Sequence, residues 1–206
     1  MKLRIKDDTL VKMTCVDLDN DTDLIIPEGV KTIKSYFSTF LCACDYFNSM
    51  YIKTISIPST VEKIEQGAFA GFGTVKTIKL SKDNKFFKIV NGCLYTADLK
   101  TIILAPKNIE EIEITEGTEI IDDNCFEGAR NLKEVHLPST LKTIGFNAFT
   151  ICVSLSKIIF PDSLEKIGYH AFSGDRKLFE VSYNKKTTVD DKAFEFCAIL
   201  TNIIER

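Results

Sequence analysis

Four groupings in the chain bring together residue types able to do chemistry. Asp17, Asp19, Asp21 and Asp23 alternate along one stretch and Glu28 follows, which puts carboxylates at positions 1, 3, 5, 7 and 12 of a calcium loop. Such a loop wants glycine at position 6, where Thr22 stands, and helices on both sides. Pro27 and the strand-like residues around it offer no helix, so the stretch reads as an acidic connector, with calcium as its alternative chemistry. Cys42 and Cys44 form a C-x-C pair of the kind that exchanges disulfides, but no basic residue between Ser35 and Tyr51 is present to lower a thiol pKa. The two histidines, His136 and His170, occupy unrelated positions with no partner at metal-site or triad spacing, and both read as solvated polar sites. Last, Glu110, Glu111, Glu113, Glu116, Glu119 and Glu134 make an acidic run that would attract a basic partner. No phosphate-binding loop, nucleophile elbow or H-E-x-x-H motif occurs. No catalytic residue, cofactor or metal site is therefore assigned, and the chain is not read as an enzyme.

What must position these residues is a repeat. Leu132-x-x-Val135-x-Leu137-Pro138 is followed by Leu141-x-x-Ile144-Gly145-x-x-Ala148-Phe149. The same pattern restarts at Leu155, with Pro161 and Phe172 each 23 residues beyond their counterparts. A 20–29-residue period carrying L-x-x-I-x-L is the mark of a leucine-rich-repeat solenoid. Aligned on the fourth position, the copies run Leu24, Ile55, Ile78, Ile102, Ile112, Val135, Ile158, Val181 and Ile203. Each copy predicts a short strand, a proline that ends it and a second inward apolar pair. Gly145 and Gly168 are then read as corners needing positive φ, followed by a tight helical turn whose phenylalanine plugs the space between coils. The plugs are Phe69, Phe126, Phe149, Phe172 and Phe194. Residues 1–23 read as a capping hairpin and 24–206 as the solenoid. It is interrupted by an irregular excess at 38–50 and, around Asn91-Gly92, by a hairpin or short meander at 86–104.

Composition agrees with a globular protein: 45% hydrophobic, 27% charged, net charge −3. That charge and the scarcity of arginine argue against nucleic acid, and no apolar run reaches the length of a membrane span. The start lacks a signal peptide, so the chain as written reads as cytoplasmic, or as surface-bound or secreted if a leader was removed. Seven cysteines with no even framework argue against a disulfide scaffold; Cys125, Cys152 and Cys197 fall at repeat positions that want small apolar groups and read as buried thiols, while Cys42 and Cys44 stay open.

The full pattern, L-x-x-I-x-[LF]-P-x-[ST]-[LV]-x-x-I-[GE]-x-x-A-F, resembles the BspA-like (Treponema pallidum type) leucine-rich repeats. It is clearest at 52–75, 132–155 and 155–178, and the resemblance covers roughly 24–206. Asn91-Gly-Cys-Leu-Tyr95 with Leu99–Pro106 is similar to an element often interspersed in that family. The resemblance implies a binding protein, and its surface members imply adhesion to host matrix proteins. Solenoids bind on their concave strand side, so the outward strand residues Glu111, Glu113, Glu134, His136, Lys157, Ile159 and Glu180 are the expected contact set for another protein of unknown identity.

Overall fold

Strands of three or four alternating residues cannot bury their apolar side alone, so each must pair with its copy one coil away. The computed structural model describes residues 2–14, 22–35 and 51–206. The segments 15–21 and 36–50, with Asp17, Asp19, Asp21, Cys42, Cys44 and the expected excess at 38–50, lie outside the described residues. The N-terminal coils contain β1 (Lys2–Lys6), β2 (Thr9–Thr14), β3 (Asp23–Ile25), β4 (Thr32–Ile33), β5 (Thr54–Ile57), β6 (Lys63–Ile64) and β7 (Thr77–Leu80). Next come β8 (Phe87–Val90), β9 (Cys93–Thr96) and β10 (Thr101–Leu104). The remaining coils hold β11 (Glu111–Glu113), β12 (Ile120–Ile121), β13 (Glu134–His136), β14 (Thr143–Ile144), β15 (Lys157–Ile159), β16 (Lys166–Ile167), β17 (Glu180–Tyr183), β18 (Thr188–Val189) and β19 (Asn202–Glu205).

The result is a β-solenoid of leucine-rich repeats. Its front ladder falls into three sheets, β3-β5-β7, β11-β13 and β15-β17-β19, all paired in parallel. Its rear ladder has two parts, β1-β2-β4-β6 and β18-β16-β14-β12-β10-β9-β8. At the start, β1 and β2 pair antiparallel and β2 carries the parallel ladder onward through Leu10 and Ile33. The strands β8, β9 and β10 form an antiparallel meander, and β10 joins the rear ladder through Ile102 opposite Ile121. Ile102 is therefore not the front-strand residue that alignment on the repeat suggests; the meander breaks the register and turns that strand to the rear.

The expected helical turns are corrected by the structure: no helix occurs among the described residues. Asn124, Asn147 and His170 adopt positive φ in the turns, which stops a right-handed helix from continuing. Many of the turn N–H groups also bond across to the next coil: Phe126 to Ala148 O at 2.7 Å, Gly128 to Thr150 O at 2.8 Å and Phe149 to Ala171 O at 2.7 Å. Gly145 and Gly168 are not the positive-φ residues; what they supply is room. A Cβ on Gly145 would sit 2.7 Å from Asp123 N, and one on Gly168 would sit 2.9 Å from Gly145 C. The plug phenylalanines stack in register, with ring centroids 4.7 Å apart for Phe126–Phe149 and 5.0 Å for Phe149–Phe172.

The meander divides the interior into two cores. Leu94, Ile103 and Leu104 face one, while Cys93, Tyr95, Ile102 and Ala105 face the other. A sheet buried on both faces explains the unbroken apolar runs in β9 and β10. Lys107 closes the joint: its N–H donates to Val75 O at 2.6 Å and its ammonium to Cys125 O at 2.6 Å. Burial pulls its pKa down. Nearby Asp122 is pushed the other way, up to about 7, chiefly by burial, although its Oδ1 accepts the Asp123 N–H at 2.8 Å.

Two outcomes follow. Phe149→Ala should lower unfolding stability by about 3–5 kcal/mol in urea titration, because the removed ring leaves a gap between two stacked neighbours. Asp122 binds its proton more tightly when folded, so its stabilisation is complete below the unfolded carboxyl pKa of about 3.9 and is lost as pH rises to about 7. Asp175, also raised by burial, adds a slope of the same sign. Asp122→Asn should shrink the fall in stability between about pH 4 and pH 7, by at most ~1.4 kcal/mol per pH unit; an unchanged slope would rule this carboxyl out.

Candidate functional site

Outward residues on the front strands are free of packing duty, and the parallel register sets which of them meet. Glu111 lies opposite Glu134 and Glu113 opposite His136. All four are exposed. His136 Nε2 lies 3.3 Å from Glu111 Oε1 and 3.4 Å from Glu134 Oε1. The ligand atoms of these three residues fall within 4.8 Å of one another, so two carboxylates and one imidazole could together hold a divalent cation. Like charges directly opposite in a sheet are destabilising, so the Glu111–Glu134 pair is a cost that the fold does not need.

The next coils continue the row. Lys157 lies opposite Glu180 and Ile159 opposite Ser182. Lys157 Nζ bonds the Glu180 carboxylate at 2.5 Å, and one coil earlier Lys133 Nζ bonds Glu110 Oε2 at 2.7 Å. The second bond holds the Glu110 carboxyl below its usual range. Glu180 is half-buried, whereas Ile159 is 57% exposed, a large apolar group presented on a charged surface. The contact set expected from sequence therefore shares one face, with Glu111, Glu113, Glu134 and His136 as a tight group and Lys157, Ile159 and Glu180 beside it. The lysine–glutamate pairs were missed; their signal was one repeat period between Glu110 and Lys133, and between Lys157 and Glu180.

Other expected sites fall elsewhere. His170 sits in a turn, partly buried, with Nε2 2.6 Å from Glu195 Oε2 and its ring against Tyr169; it is paired rather than merely solvated. Of the calcium alternative, only Asp23 and Glu28 are described. Asp23 lies in β3 opposite Thr54, and the Glu28 carboxylate accepts from Ser59 N at 3.3 Å and Ser59 Oγ at 3.2 Å. Glu116 and Ser139 repeat that bond, so Glu28 has a coil-to-coil role. Cys93, Cys125 and Cys152 are buried and free. Burial raises the Cys93 thiol to about 12 and lifts Cys125 and Cys152 well above the ordinary range. No described helix is long and apolar enough to cross a membrane.

A BspA type leucine rich repeat region, in six copies, matches residues 42–112 and 104–205. The chain belongs to that family. Among solved structures it is similar to a leucine-rich repeat protein from Eubacterium ventriosum, at 20% identity and a TM-score of 0.68, covering 88% of this chain and 54% of that one. It is also similar to the pneumococcal vaccine antigen PcpA (19%, TM-score 0.64, covering 88% and 56%). A leucine rich cell surface protein from Faecalibacterium prausnitzii matches at 19% with a TM-score of 0.60, covering 89% and 59%. The chain spans between half and two thirds of the length of these structures. At such identities the likeness concerns the fold. No curated protein matches the chain significantly. Leucine-rich-repeat solenoids are protein-interaction scaffolds.

The buried thiols carry their own check. Iodoacetamide under native conditions should leave Cys93, Cys125 and Cys152 unmodified in mass spectrometry and modify all three in denaturant; rapid native labelling of any of them would contradict their burial.

Proposed function

We propose that the chain is a non-catalytic protein-interaction module that binds a basic segment of another protein on its front strand face. Glu111, Glu113, Glu134 and His136 form the centre of the footprint, and Lys157, Ile159 and Glu180 its flank. The observation that carries this reading is the exposed Glu111–Glu134 pair with Glu113 beside it. Three carboxylates gathered where the fold requires none create a field that attracts cations and steers a basic partner. The neighbouring lysines Lys133 and Lys157 are each already engaged by a glutamate, so they do not cancel it.

A second reading, an adhesin at the cell surface that binds host matrix proteins, draws its support from the likeness to the Faecalibacterium prausnitzii cell surface protein. Cleavage of the chain on intact cells by added protease would support it, and complete protection would exclude it.

The first reading is tested by charge reversal. Glu111→Lys with Glu134→Lys should abolish capture of the partner from a lysate of the native organism and leave the melting temperature essentially unchanged, since one exposed like-charge pair is exchanged for another. Wild-type capture should weaken steeply with salt. Capture that survives both changes would place the binding surface elsewhere.

A further inference from the structure

Along most of the front, each coil passes backbone hydrogen bonds to the next. Lys133 N–H donates to Glu110 O at 2.7 Å, Ile114 N–H to His136 O at 3.0 Å, and Phe160 N–H to Ser182 O at 3.0 Å. Between β13 and β15 no such bond occurs among the described residues, and the two strands belong to different sheets. In a parallel ladder alternate residues face alternate neighbours. The main-chain groups of Glu134 and His136 are taken up by β11, so those of Val135 and Leu137 point toward β15, and those of Lys157 and Ile159 point back.

The gap is a cleft of about 630 Å³ between residues 133–137 and 156–159. Its floor reaches the core. Val135 and Leu137 are partly exposed, whereas the equivalent Ile112 and Ile158 are only 5% and 2% exposed and Phe160 is fully buried. Behind the cleft the same two coils stay joined. Thr143 and Ile144 pair with Lys166 and Ile167, and the turns are tied by Asn147 N–H to Tyr169 O at 3.1 Å and Phe149 N–H to Ala171 O at 2.7 Å. The coils are thus closed at the rear and the turn and open at the front, an arrangement that lets the cleft widen about the rear ladder.

We propose that this cleft receives an extended segment of the partner protein whose main chain pairs with the free groups of β13 and β15. The segment sets aliphatic side chains inward against Val135 and Leu137, and a lysine or arginine outward against Glu111 and Glu134. Strand addition is the recognition mode open sheet edges support: main-chain bonds supply affinity and alternate side chains supply specificity. The acidic group on the β13 side selects a basic residue by charge complementarity. The inference rests on the strand face being the protein-binding surface and adds where on that face the partner lies and in what conformation.

The probe is a fluorescein-labelled pool of decapeptides alternating valine, isoleucine or leucine with lysine or arginine. Binding to the whole chain is followed by anisotropy, and amide exchange by mass spectrometry. Saturable binding should slow exchange at Val135, Leu137, Lys157 and Ile159 by about tenfold or more, as new main-chain bonds form. N-methylation of alternate peptide amides, or Glu111→Gln with Glu134→Gln, should weaken binding by about tenfold. Three results would overturn the proposal: no saturable binding of the pool, equal binding of the N-methylated pool, or amides at 135 and 157 already protected in the free chain. A natural partner captured through Glu111 and Glu134 that leaves these four amides unprotected would sink this inference alone and leave the strand-face reading standing.

Discussion

Adjacent coils are held at the spacing parallel strands require, about 4.8 Å, and every interior residue has to conform to it. The plug rings do: Phe126–Phe149 at 4.7 Å and Phe149–Phe172 at 5.0 Å stack at the strand repeat, so ring contact and backbone bonding are satisfied together. The same spacing leaves no room for a Cβ at Gly145 or Gly168, which explains glycine at positions whose φ would admit other residues. It also decides the form of the turns. A helix would direct its N–H groups along its own axis, whereas these N–H groups are needed by the neighbouring coil.

The meander shows what happens when a coil cannot meet that demand. Residues 81–106 contain no Ala-Phe turn, so Cys125 O has no plug N–H from the preceding coil to accept. Ala105 N–H and the Lys107 ammonium take that place, at 3.1 Å and 2.6 Å. A lysine removed from water is costly, and that loss of hydration is what lowers its pKa. Its long stem nevertheless reaches across a gap that a short side chain would leave unsatisfied, and buried carbonyls without donors are themselves costly. Gly128 contributes by allowing the following turn to approach Gly73 directly: a Cβ there would lie 3.2 Å from Gly73 Cα. The two cores are joined through polar groups for that reason.

Most of the architecture was legible because the period places like residues at like positions. The 23-residue spacing alone identified the front strands, the plugs and the shared face of Glu111, Glu113, Glu134 and His136, whereas the rear strands showed only as a second inward apolar pair. Three things were not legible, each for a physical reason. Alignment cannot distinguish a front strand from a rear one when both carry Ile-x-Leu, so Ile102 was misplaced. Glycine is read by habit as a φ requirement, and close backbone approach leaves no mark in a single chain. The split between β13 and β15 falls between the two most regular copies, where pattern matching finds nothing amiss.

A signal for that split was nonetheless present, in size rather than in pattern. The last inward residue of the front strand is aliphatic in the earlier coils, as Ile57, Leu80, Ile114 and Leu137, and aromatic afterward, as Phe160 and Tyr183. The change coincides with the break. Phe160 lies edge-on to Phe172 with ring centroids 5.6 Å apart, so its coil has to house a larger side chain than the neighbouring coil that holds Leu137. A ladder can follow a gradual change in thickness, but a step between neighbours strains the hydrogen bonds at that step alone. Because stability in a solenoid is close to a sum of nearest-neighbour terms, the loss stays local and the rear ladder carries the stack through it. A repeat protein can therefore open one front seam without loosening the rest, and here the seam lies beside Glu134 and His136, within the acidic group of the face.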